Sequence, residues 1–356
     1  MSYSFADLPY AFAQPLVKGC LKARNSDFCV DEIMPVVPSG EGEHLWVKIA
    51  KDGSNTDWVA QQLAKFAGIK ASRVSYAGMK DRHALSTQWF SLHLPGLEDP
   101  DFSQLDDPEF KILEYARHDR KLKRGALSGN RFQLRITDLS GDITSLESKL
   151  RTVQQKGVPN YFGEQRFGRQ MGNLYKAEKL FNRELKKVKK LQRGLYISAA
   201  RSWIFNQLLS KRIEQQNWLV PMQGEVYMLN GKSACFVDDA FDGVRNENVK
   251  RMLDREINLT GCLWGEGQSM VGAQVLALEK SIATEFMLFS TGLEGARLKQ
   301  ERRALRLIPE NMCWVIHDNV LEIGFDLSAG AFATMVLREC VNASVWQPAD
   351  SDSHNP

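Results

Sequence analysis

Residues 75–91, SYAGMKDRHALSTQWFS, are the most informative part of the chain. They contain one carboxylate, Asp81, which stands between the cations Lys80 and Arg82 shortly after Gly78. Apolar and polar residues alternate directly afterwards, which is the period of a half-buried strand. The pattern predicts a single ionised carboxylate on a tight loop before a strand, a setting that suits catalysis. The same residue types also occur in solvated turns, so a catalytic role for Asp81 is a hypothesis at this point.

Both ends of the chain contain strand-like segments. Apolar residues alternate with polar ones in four places, which predicts strands at residues 44–49, 90–94, 132–136 and 321–327. Between the first two, Asn55 and Thr56 have the character of a helix start, and Gly68 is a suitable stop. After the last strand, Phe332 and Val336 fit one face of a further helix.

The middle of the chain has a different character. Residues 174–216 are lysine-rich and mainly helical in pattern, residues 219–252 are irregular, and residues 279–307 again have a helical pattern with many charges. Because the two ends share a character that the middle lacks, we predict one domain inserted into another, with junctions near Lys156 and Arg303. Two consecutive domains are the alternative.

The composition is that of a globular protein with two domains: 356 residues, 43% apolar and 25% charged. A net charge of +3 does not by itself indicate nucleic acid, so any electrostatic footprint must be local. The six cysteines form no CxxC pair, which argues against zinc and predicts buried free thiols in a reducing compartment. The chain has neither a signal-peptide pattern nor an apolar run of about 18 residues, so we expect a cytoplasmic protein.

Three basic segments are candidates for contacts with nucleic acid. They are residues 117–125, residues 186–190 on a predicted helix, and residues 166–169, which follow the aromatic stretch 159–163. Phosphates attract Lys and Arg, and exposed bases stack on aromatic rings. Each segment taken alone is more often a solvated face, but the three together favour RNA.

Two histidines and two N-terminal cations allow more than one interpretation. His83 follows Asp81 closely and has the chemistry of a general base, but no serine or cysteine nucleophile accompanies it, which favours a structural hydrogen bond. His44 follows a glycine–glutamate stretch that matches no phosphate-binding loop, so we interpret that stretch as a turn before a strand. Lys22 and Arg24 are either ion-pair partners of a distant carboxylate or surface charges.

Several segments taken together resemble one known family. The most specific is GVPNYFGEQRFG at residues 157–168, and it occurs together with YAGMKD at residues 76–81. The others are SDFCVDE at 26–32, GEH at 42–44 with NT at 55–56, SAARS at 198–202 and AGAFAT at 329–334. In these segments the chain resembles the TruD family of tRNA pseudouridine synthases. The resemblance is weakest in residues 215–300.

The resemblance implies an α+β fold. It consists of a pseudouridine synthase catalytic domain with a mixed, mainly antiparallel sheet, permuted in sequence and interrupted by an inserted α/β TRUD domain. The catalytic domain would comprise residues 1–155 and 304–356, and the inserted domain residues 156–303. The implied activity is the isomerisation of uridine at position 13, in the D arm of tRNA, to pseudouridine.

The resemblance also implies roles for individual residues. Asp81 matches the catalytic aspartate, and Lys22 matches the basic residue that pairs with it, although Arg24 is near in sequence. The positions that hold the target nucleotide match Phe28, Asn130 and Phe332. The basic segments supply the candidates for contacts with the RNA backbone, which are Arg166, Arg169, Lys186, Lys187, Lys189 and Lys190.

Such chemistry needs neither a cofactor nor a metal ion. Pseudouridine formation breaks the glycosidic C–N bond and rejoins the same ring through carbon, so the oxidation state does not change. The base must first be flipped out of folded RNA, where an aromatic ring replaces its stacking and Asn130 offers both a donor and an acceptor. We therefore expect tRNA as the partner, with no metal, no membrane and no obligate protein partner.

Two other classes of protein are alternatives. A non-catalytic RNA-binding protein would use the same basic and aromatic surface, but it has no use for a buried carboxylate that faces an anionic ligand. A metal-dependent nuclease would need a cluster of carboxylates, and we find none in the sequence. A lone aspartate in the strongest motif therefore favours the isomerase.

Overall fold

The structure is a computed structural model that describes residues 2–238 and 247–345. These residues form two compact units. The sheet unit comprises residues 15–154, 309–333 and 340–345. The helical unit comprises residues 2–14, 155–238, 247–308 and 334–339.

The strands and helices are numbered in chain order. The strands are β1 Lys18–Leu21, β2 Phe28–Ile33, β3 His44–Asp52, β4 Val74–Tyr76, β5 Leu85–His93, β6 Phe110–His118, β7 Gly129–Ser140, β8 Val158–Pro159, β9 Val226–Leu229, β10 Cys235–Val237, β11 Ile257–Leu263, β12 Glu301–Ala304, β13 Arg306–Leu307, β14 Glu310–His317, β15 Val320–Ser328 and β16 Asn342–Val345. The helices are α1 Thr56–Phe66, α2 Ile143–Lys156, α3 Gly172–Phe181, α4 Lys190–Glu214, α5 Glu247–Leu253, α6 Ala273–Glu285, α7 Met287–Gly295 and α8 Ala333–Cys340.

The sheet unit is built on one mixed, mainly antiparallel sheet with the strand order β14-β15-β7-β2-β5-β3-β6. In addition, β1 pairs with β7 and β16, and β4 pairs with β5. The pairs β2–β5 and β1–β16 are parallel, whereas the other neighbours are antiparallel. The four predicted strands are confirmed as β3, β5, β7 and β15, and the α+β fold class is confirmed.

Strand β7 connects the early strands with the late ones. On one side β15 pairs with it, so that Leu327 lies opposite Asn130. On the other side β2 pairs with it, so that Glu32 also lies opposite Asn130. Residues that are far apart in sequence therefore occupy neighbouring positions in one sheet.

Helix α1 packs its apolar face against the sheet. Val59 and Leu63 are fully buried in a cluster with Val47 of β3. Asn55 has the extended backbone of an N-cap, and Gly68 follows the last turn with a φ of 65°, which favours glycine. The predicted helix and its stop are confirmed, although the Asn55 side chain makes no capping hydrogen bond.

Helix α4 packs against α3, α6, α7 and β11 in the helical unit, and most of its residues from Tyr196 to Ile213 are buried. A small sheet has the strand order β10-β9-β11-β12, and β8 pairs with β13. Two buried ion pairs, Arg212–Glu225 and Arg302–Glu279, each have an N–O distance of 2.7 Å. Such short contacts offset the large cost of removing the charges from water.

The mainly helical pattern predicted for residues 174–216 is confirmed, and it corresponds to two helices. The segment forms α3 and α4, because Arg183 adopts a left-handed backbone with a φ of 61° directly after the last turn of α3. Residues 186–189 therefore lie between the two helices, and only Lys190 belongs to α4. The prediction that the whole lysine run lies on a helix is wrong.

The predicted helix over residues 279–307 is wrong beyond Gly295. Helices α6 and α7 account for the first part, and the second part forms β12 and β13. The charges in this part do not belong to a solvated helix face. Instead, Arg302 pairs with Glu279, and Arg306 donates to Oδ1 of Asn258 over 2.7 Å. These inward contacts stabilise β12 and β13, although the spacing of the charges in the sequence predicted a helix.

The cysteines are free, but not all of them are buried. Cys262 and Cys340 are buried, whereas Cys313 is exposed because it lies on the edge strand β14. The prediction of buried thiols is therefore only partly correct. In the ranges that the structure describes, no helix is long and apolar enough to cross a membrane.

Candidate active site

The loop between β4 and β5 carries Asp81, and buried side chains hold its backbone in place. Gln88 Nε2 donates to the carbonyl of Gly78 over 3.1 Å, and the N–H of Lys80 donates to Thr56 Oγ1 over 3.0 Å. The Thr56 hydroxyl in turn donates to Oε1 of Gln88 over 2.8 Å. Because Thr56 and Gln88 are themselves fully buried, the loop is fixed by partners that have little freedom.

The carboxylate of Asp81 pairs with Lys22. Its Oδ2 lies 2.5 Å from Nζ of Lys22, and its Oδ1 accepts a hydrogen bond from the backbone N–H of His83 over 3.2 Å. The carboxylate is 39% exposed and the lysine side chain 11% exposed, so the pair lies at the surface with the anion outermost. The structure brings Lys22 rather than Arg24 to Asp81. It also corrects the interpretation of His83, which contributes its backbone and not its imidazole.

Phe28 lies beside Lys22 at the start of β2. The ammonium of Lys22 is 4.2 Å from the centre of the Phe28 ring, close enough for a cation–π contact. The ring is largely buried and packs edge-on against Phe132 at a centroid distance of 6.1 Å. Phe28 therefore supports the cation of the Asp81 pair, and its predicted contact with a base stays a prediction.

Asn130 brings an unpaired acceptor to the sheet unit. Its Oδ1 is buried and has no hydrogen-bond partner among the residues that the structure describes. A buried polar atom without a partner costs about 1–3 kcal/mol. Asn130 faces Glu32 across the β2–β7 pair, and Glu32 contacts the residue before Asp81. A ligand with an N–H donor would therefore gain a hydrogen bond in this part of the sheet.

Phe332 lies between β15 and α8 and is half-buried. The segment leading to it begins at the same end of β7 as Asn130, because Ser328 pairs with Gly129. The N–H of Ala329 donates to the carbonyl of Ser128 over 3.3 Å, which ties the start of this segment to β7. The structure thus places Phe332 in the sheet unit with the other predicted residues, and its contact with a nucleotide stays a prediction.

Glu32 and Lys80 form a buried ion pair that no sequence pattern singled out. Nζ of Lys80 lies 2.6 Å from Oε1 of Glu32, and the two side chains are 7% and 1% exposed. The other oxygen of Glu32 accepts the backbone N–H of Trp89 over 2.9 Å. The Lys80 side chain is therefore anchored in the interior, while the next residue, Asp81, keeps its carboxylate at the surface.

Lys51 is a second residue that the sequence did not single out. It is fully buried on β3, and its ammonium donates to the carbonyl of Asp81 over 2.9 Å and to that of Ser54 over 2.8 Å. Burial lowers the pKa of Lys51 to about 8, although the negative charge of Asp81 partly opposes this shift. A signal existed in the sequence, because Lys51 continues the inward face of Val47 and Ile49 at a spacing of two.

The lowered pKa of Lys51 predicts how its contribution to stability depends on pH. Between pH 8 and 10.5 the folded lysine is mostly neutral while the unfolded lysine still holds its proton, so the unfolded state binds more protons. The contribution of this group to the free energy of unfolding therefore rises with pH across that window. We expect the stability difference between wild type and Lys51→Met to be constant below pH 8 and to move in favour of wild type as the pH rises to 10.

Urea unfolding at several pH values between 7 and 10 measures this difference. Lys48→Met is the matched control, because Lys48 lies on the same strand but is partly exposed and pairs with Glu114. A difference between wild type and Lys51→Met that stays constant up to pH 10 would show that Lys51 titrates like an exposed lysine.

Most of the predicted contacts for the RNA backbone are surface residues of the helical unit. Exposed side chains belong to Arg169, Lys186, Lys187, Lys189 and Lys190. Arg166 differs, because it is half-buried and donates from Nη1 to the hydroxyl of Ser198 over 3.2 Å. The basic segment at residues 117–125 lies in the sheet unit, where the N–H of Gly125 donates to the carbonyl of Ala77 over 2.8 Å.

The aromatic residues near Arg166 do not form an exposed stacking surface. Tyr161, Phe162 and Phe167 are all buried in the core of the helical unit. The hydroxyl of Tyr161 donates to the carbonyl of Pro9, and Phe167 packs edge-on against Trp203. The idea that these rings are interleaved with the basic residues to stack exposed bases is therefore wrong, because they are core residues.

The groups near Asp81 define what the site can do. They comprise a carboxylate paired with the ammonium of Lys22 and the Phe28 ring beside that ammonium, and a positioned carboxylate suits nucleophilic or acid–base chemistry. Within residues 2–238 and 247–345, no three His, Cys, Asp or Glu side chains are grouped as metal ligands would be.

Comparison with known proteins identifies the family. The family model described as tRNA pseudouridine synthase D (TruD) matches residues 7–176 and 169–340. A tRNA pseudouridine synthase D from Hydrogenovibrio crunogenus is 45% identical over 337 residues, covering 94% of this chain and 96% of the relative. The enzyme of the same name from Methylococcus capsulatus is 42% identical over 339 residues, covering 95% of each chain.

A solved structure supports the fold. The crystal structure of a Methanosarcina mazei protein assigned to tRNA pseudouridine synthase D has a TM-score of 0.69 and 20% sequence identity, and the alignment covers 94% of this chain and 95% of that one. Fold and relatives thus place the chain in the class of the pseudouridine synthases. Within that class, the chain belongs to the TruD family.

Proposed function

We propose that Asp81 is the catalytic carboxylate of a tRNA pseudouridine synthase that converts uridine at position 13, in the D arm, to pseudouridine. As a TruD family member, the chain is an isomerase that acts on uridine in tRNA. The observation that carries the assignment of the site is the 2.5 Å contact between Asp81 and Lys22 on a loop fixed by buried side chains. Family membership makes the alternative of a non-catalytic RNA-binding protein unnecessary.

Asp81 and Lys22 would act together on the flipped nucleotide. The reaction breaks the bond between the sugar and N1 of uracil and forms a bond between the same sugar carbon and C5. Whether the carboxylate attacks the base, attacks the sugar or removes a proton, it must touch the nucleotide, and its 39% exposure allows this. Lys22 orients the carboxylate and compensates its negative charge when the polyanionic RNA approaches.

Asn130, Phe28 and Phe332 would hold the base while it is detached and reoriented. The unpaired Oδ1 of Asn130 can accept a hydrogen bond from an N–H of uracil, and its amide N–H₂ can donate to a carbonyl of the ring. Aromatic contacts replace the stacking that the base loses when it leaves the RNA, at about 1–3 kcal/mol per base. Of the two rings, Phe332 is the more exposed.

The helical unit would bind the tRNA backbone. Its exposed cations include Arg169, Lys186, Lys187, Lys189 and Lys190, and Arg166 is a further contact. Phosphate contacts of this kind supply affinity and orientation rather than chemistry. We propose that residues 156–303 are the inserted TRUD domain and that residues 1–155 and 304–356 form the catalytic domain. The proposed protein acts alone, without a cofactor, on the tRNA of the cytoplasm.

The function is tested with purified protein and unmodified tRNA transcripts, without an added metal ion or cofactor. We expect pseudouridine at position 13 in transcripts that carry uridine there, and we expect none when that uridine is replaced by cytidine. Mapping of pseudouridine along the whole transcript measures both. Modification at another position would correct the proposed site in the tRNA, and binding without any pseudouridine would support the non-catalytic alternative.

Phe332 offers a test of the nucleotide contact. We expect Phe332→Ala to lower kcat/KM by an amount equivalent to about 1–3 kcal/mol, because one stacking partner of the flipped base is lost. The free energy of unfolding should change less than in Phe325→Ala, which removes a fully buried ring and typically costs about 3–5 kcal/mol. Single-turnover kinetics and urea unfolding of both variants provide the comparison. Equal losses of stability, with unchanged kinetics for Phe332→Ala, would make Phe332 an ordinary core residue.

A further inference from the structure

Two arginines of the helical unit flank the same aromatic ring. Arg303, on β12, has its guanidinium carbon 4.1 Å from the centre of the Phe162 ring, and Arg166 has its guanidinium carbon 5.5 Å from that centre. Both arginines are half-buried, so solvent reaches this part of the unit. Both guanidinium groups therefore contact one ring, which does not neutralise either charge.

These arginines differ from two buried arginines of the same unit, Arg212 and Arg302. Arg212 and Arg302 each have a carboxylate at 2.7 Å. In the part of the chain that the structure describes, neither Arg166 nor Arg303 has a carboxylate within 4.0 Å. The hydrogen-bond partners of Arg166 and Arg303 are neutral, so no carboxylate of the described residues compensates their charge.

The neutral partners fix the direction of each guanidinium. Arg303 donates from Nη2 to Oδ1 of Asn160 over 2.6 Å and from Nε to the backbone carbonyl of Asn160 over 3.3 Å. Arg166 donates from Nη1 to the Ser198 hydroxyl. Nε of Arg166 is buried and has no hydrogen-bond partner among the described residues. The site is thus built and oriented, and it contains one unsatisfied donor.

The two positive charges oppose each other. Burial, followed by the nearby charge of Arg166, lowers the pKa of Arg303 to about 10, and burial also lowers the pKa of Arg166. An arginine normally keeps its proton far above this range, so the arrangement is unfavourable without a counterion. An anion that contacts the exposed parts of the guanidinium groups would offset the repulsion between them.

We propose that Arg166 and Arg303 form a binding site for one phosphodiester group of the tRNA backbone. The planar guanidinium matches phosphate geometry, and charge-assisted hydrogen bonds to phosphate are among the strongest that proteins make. The Phe162 ring contacts both guanidinium groups, and Asn160 orients that of Arg303, so these two residues act as positioning groups. The proposal rests on tRNA being the substrate, and it adds Arg303 to the contacts.

The experiment compares tRNA binding by wild type, Arg166→Gln, Arg303→Gln and Arg303→Lys at several salt concentrations. We expect each glutamine variant to weaken tRNA binding about tenfold or more, and to reduce the slope of log Kd against log salt by about one. Arg303→Lys keeps the charge but lacks the planar guanidinium that donates two parallel hydrogen bonds. We therefore expect this variant to retain the salt slope of wild type and to bind tRNA with an affinity between those of wild type and Arg303→Gln.

Two matched controls separate this role from a structural one. Arg251→Gln removes one charge from a surface ion pair with Glu256 in the same unit, and we expect little change in tRNA binding. Arg302→Gln leaves the buried Glu279 unpaired, and we expect a large fall in melting temperature. Arg303→Gln should instead keep or raise the melting temperature, because it removes a charge repulsion.

Inorganic phosphate serves as a small probe for the same site. We expect phosphate to raise the melting temperature of wild type more than that of Arg166→Gln or Arg303→Gln. A fall in melting temperature for Arg303→Gln as large as for Arg302→Gln, with unchanged tRNA affinity of the folded fraction, would overturn the site. Unchanged affinity and salt slope in both glutamine variants would also overturn it. Failure of wild type to make pseudouridine would instead contradict the proposed function, and the binding measurements would still test the phosphate site.

Discussion

Asp81→Asn is expected to abolish pseudouridine formation while leaving the fold and tRNA binding intact. Asparagine has nearly the same shape as aspartate, and its single amide oxygen can still accept one of the two hydrogen bonds, from the backbone N–H of His83 or from the ammonium of Lys22. It cannot attack as an anion and is a very poor base. We therefore expect kcat to fall by a factor of at least about 10⁴, because the variant lacks the group that begins the reaction.

Single-turnover pseudouridine mapping measures this loss, and a binding assay with the same transcript measures affinity. Asp52→Asn is a matched control, since Asp52 is an exposed carboxylate at the end of β3 that accepts a side-chain hydrogen bond from Asn25. We expect this control to retain nearly full turnover. Turnover in Asp81→Asn within about tenfold of wild type would be too fast for a site that has lost its acting group, and the catalytic carboxylate would then have to be sought elsewhere.

The second large effect concerns stability. Glu225→Gln is expected to lower the free energy of unfolding of the helical unit by about 3–5 kcal/mol, because it leaves the buried Arg212 without its counterion. The two side chains are almost completely buried with an N–O distance of 2.7 Å, and the remaining partners of Arg212 are the carbonyls of Asn217 and Val220. Carbonyl oxygens orient the guanidinium but cannot neutralise a charge that is removed from water.

Denaturant unfolding measures this change, and Glu256→Gln provides the contrast. It breaks the ion pair with Arg251, in which the Arg251 and Glu256 side chains are 31% and 57% exposed, and solvent-exposed pairs contribute only about 0–1 kcal/mol. The two substitutions make the same chemical change in different surroundings. Losses of equal size would mean that burial is not what gives the Arg212–Glu225 pair its effect.

The strands of the sheet unit could be predicted because each has one face in the core. The alternation in β3, β5, β7 and β15 follows directly from that arrangement. The alternation of apolar and polar residues predicted too short a strand for β3, because the predicted strand stops at Ile49 while the observed one continues to Asp52. Lys51 occupies the next inward position, and a lysine there breaks the apolar pattern although it is fully buried. Its partners are backbone carbonyls, which leave no mark in a sequence.

The contact between Lys22 and Asp81 could not be derived from local patterns. The two residues are 59 positions apart, and their meeting depends on the order of strands in the sheet. Only the resemblance to a family suggested this pair. The same limit applies to Arg303, whose neighbours in sequence gave a helical pattern, whereas Asn160 and Phe162 hold its side chain. The spacing of apolar and polar residues along the chain does not show which distant polar side chains contact each other.

The backbone of Lys22 has a consequence for how this position can change over time. Lys22 adopts a left-handed conformation with a φ of 63°, which costs a residue with a side chain about 1–2 kcal/mol and costs glycine little. Selection for a well-folded protein alone therefore favours glycine or asparagine at this position. Selection for turnover retains lysine, because its ammonium contacts Asp81. Under relaxed selection, in a strain that no longer needs the modification, position 22 should be among the first in the sheet unit to drift, and the drift should run towards a more stable protein.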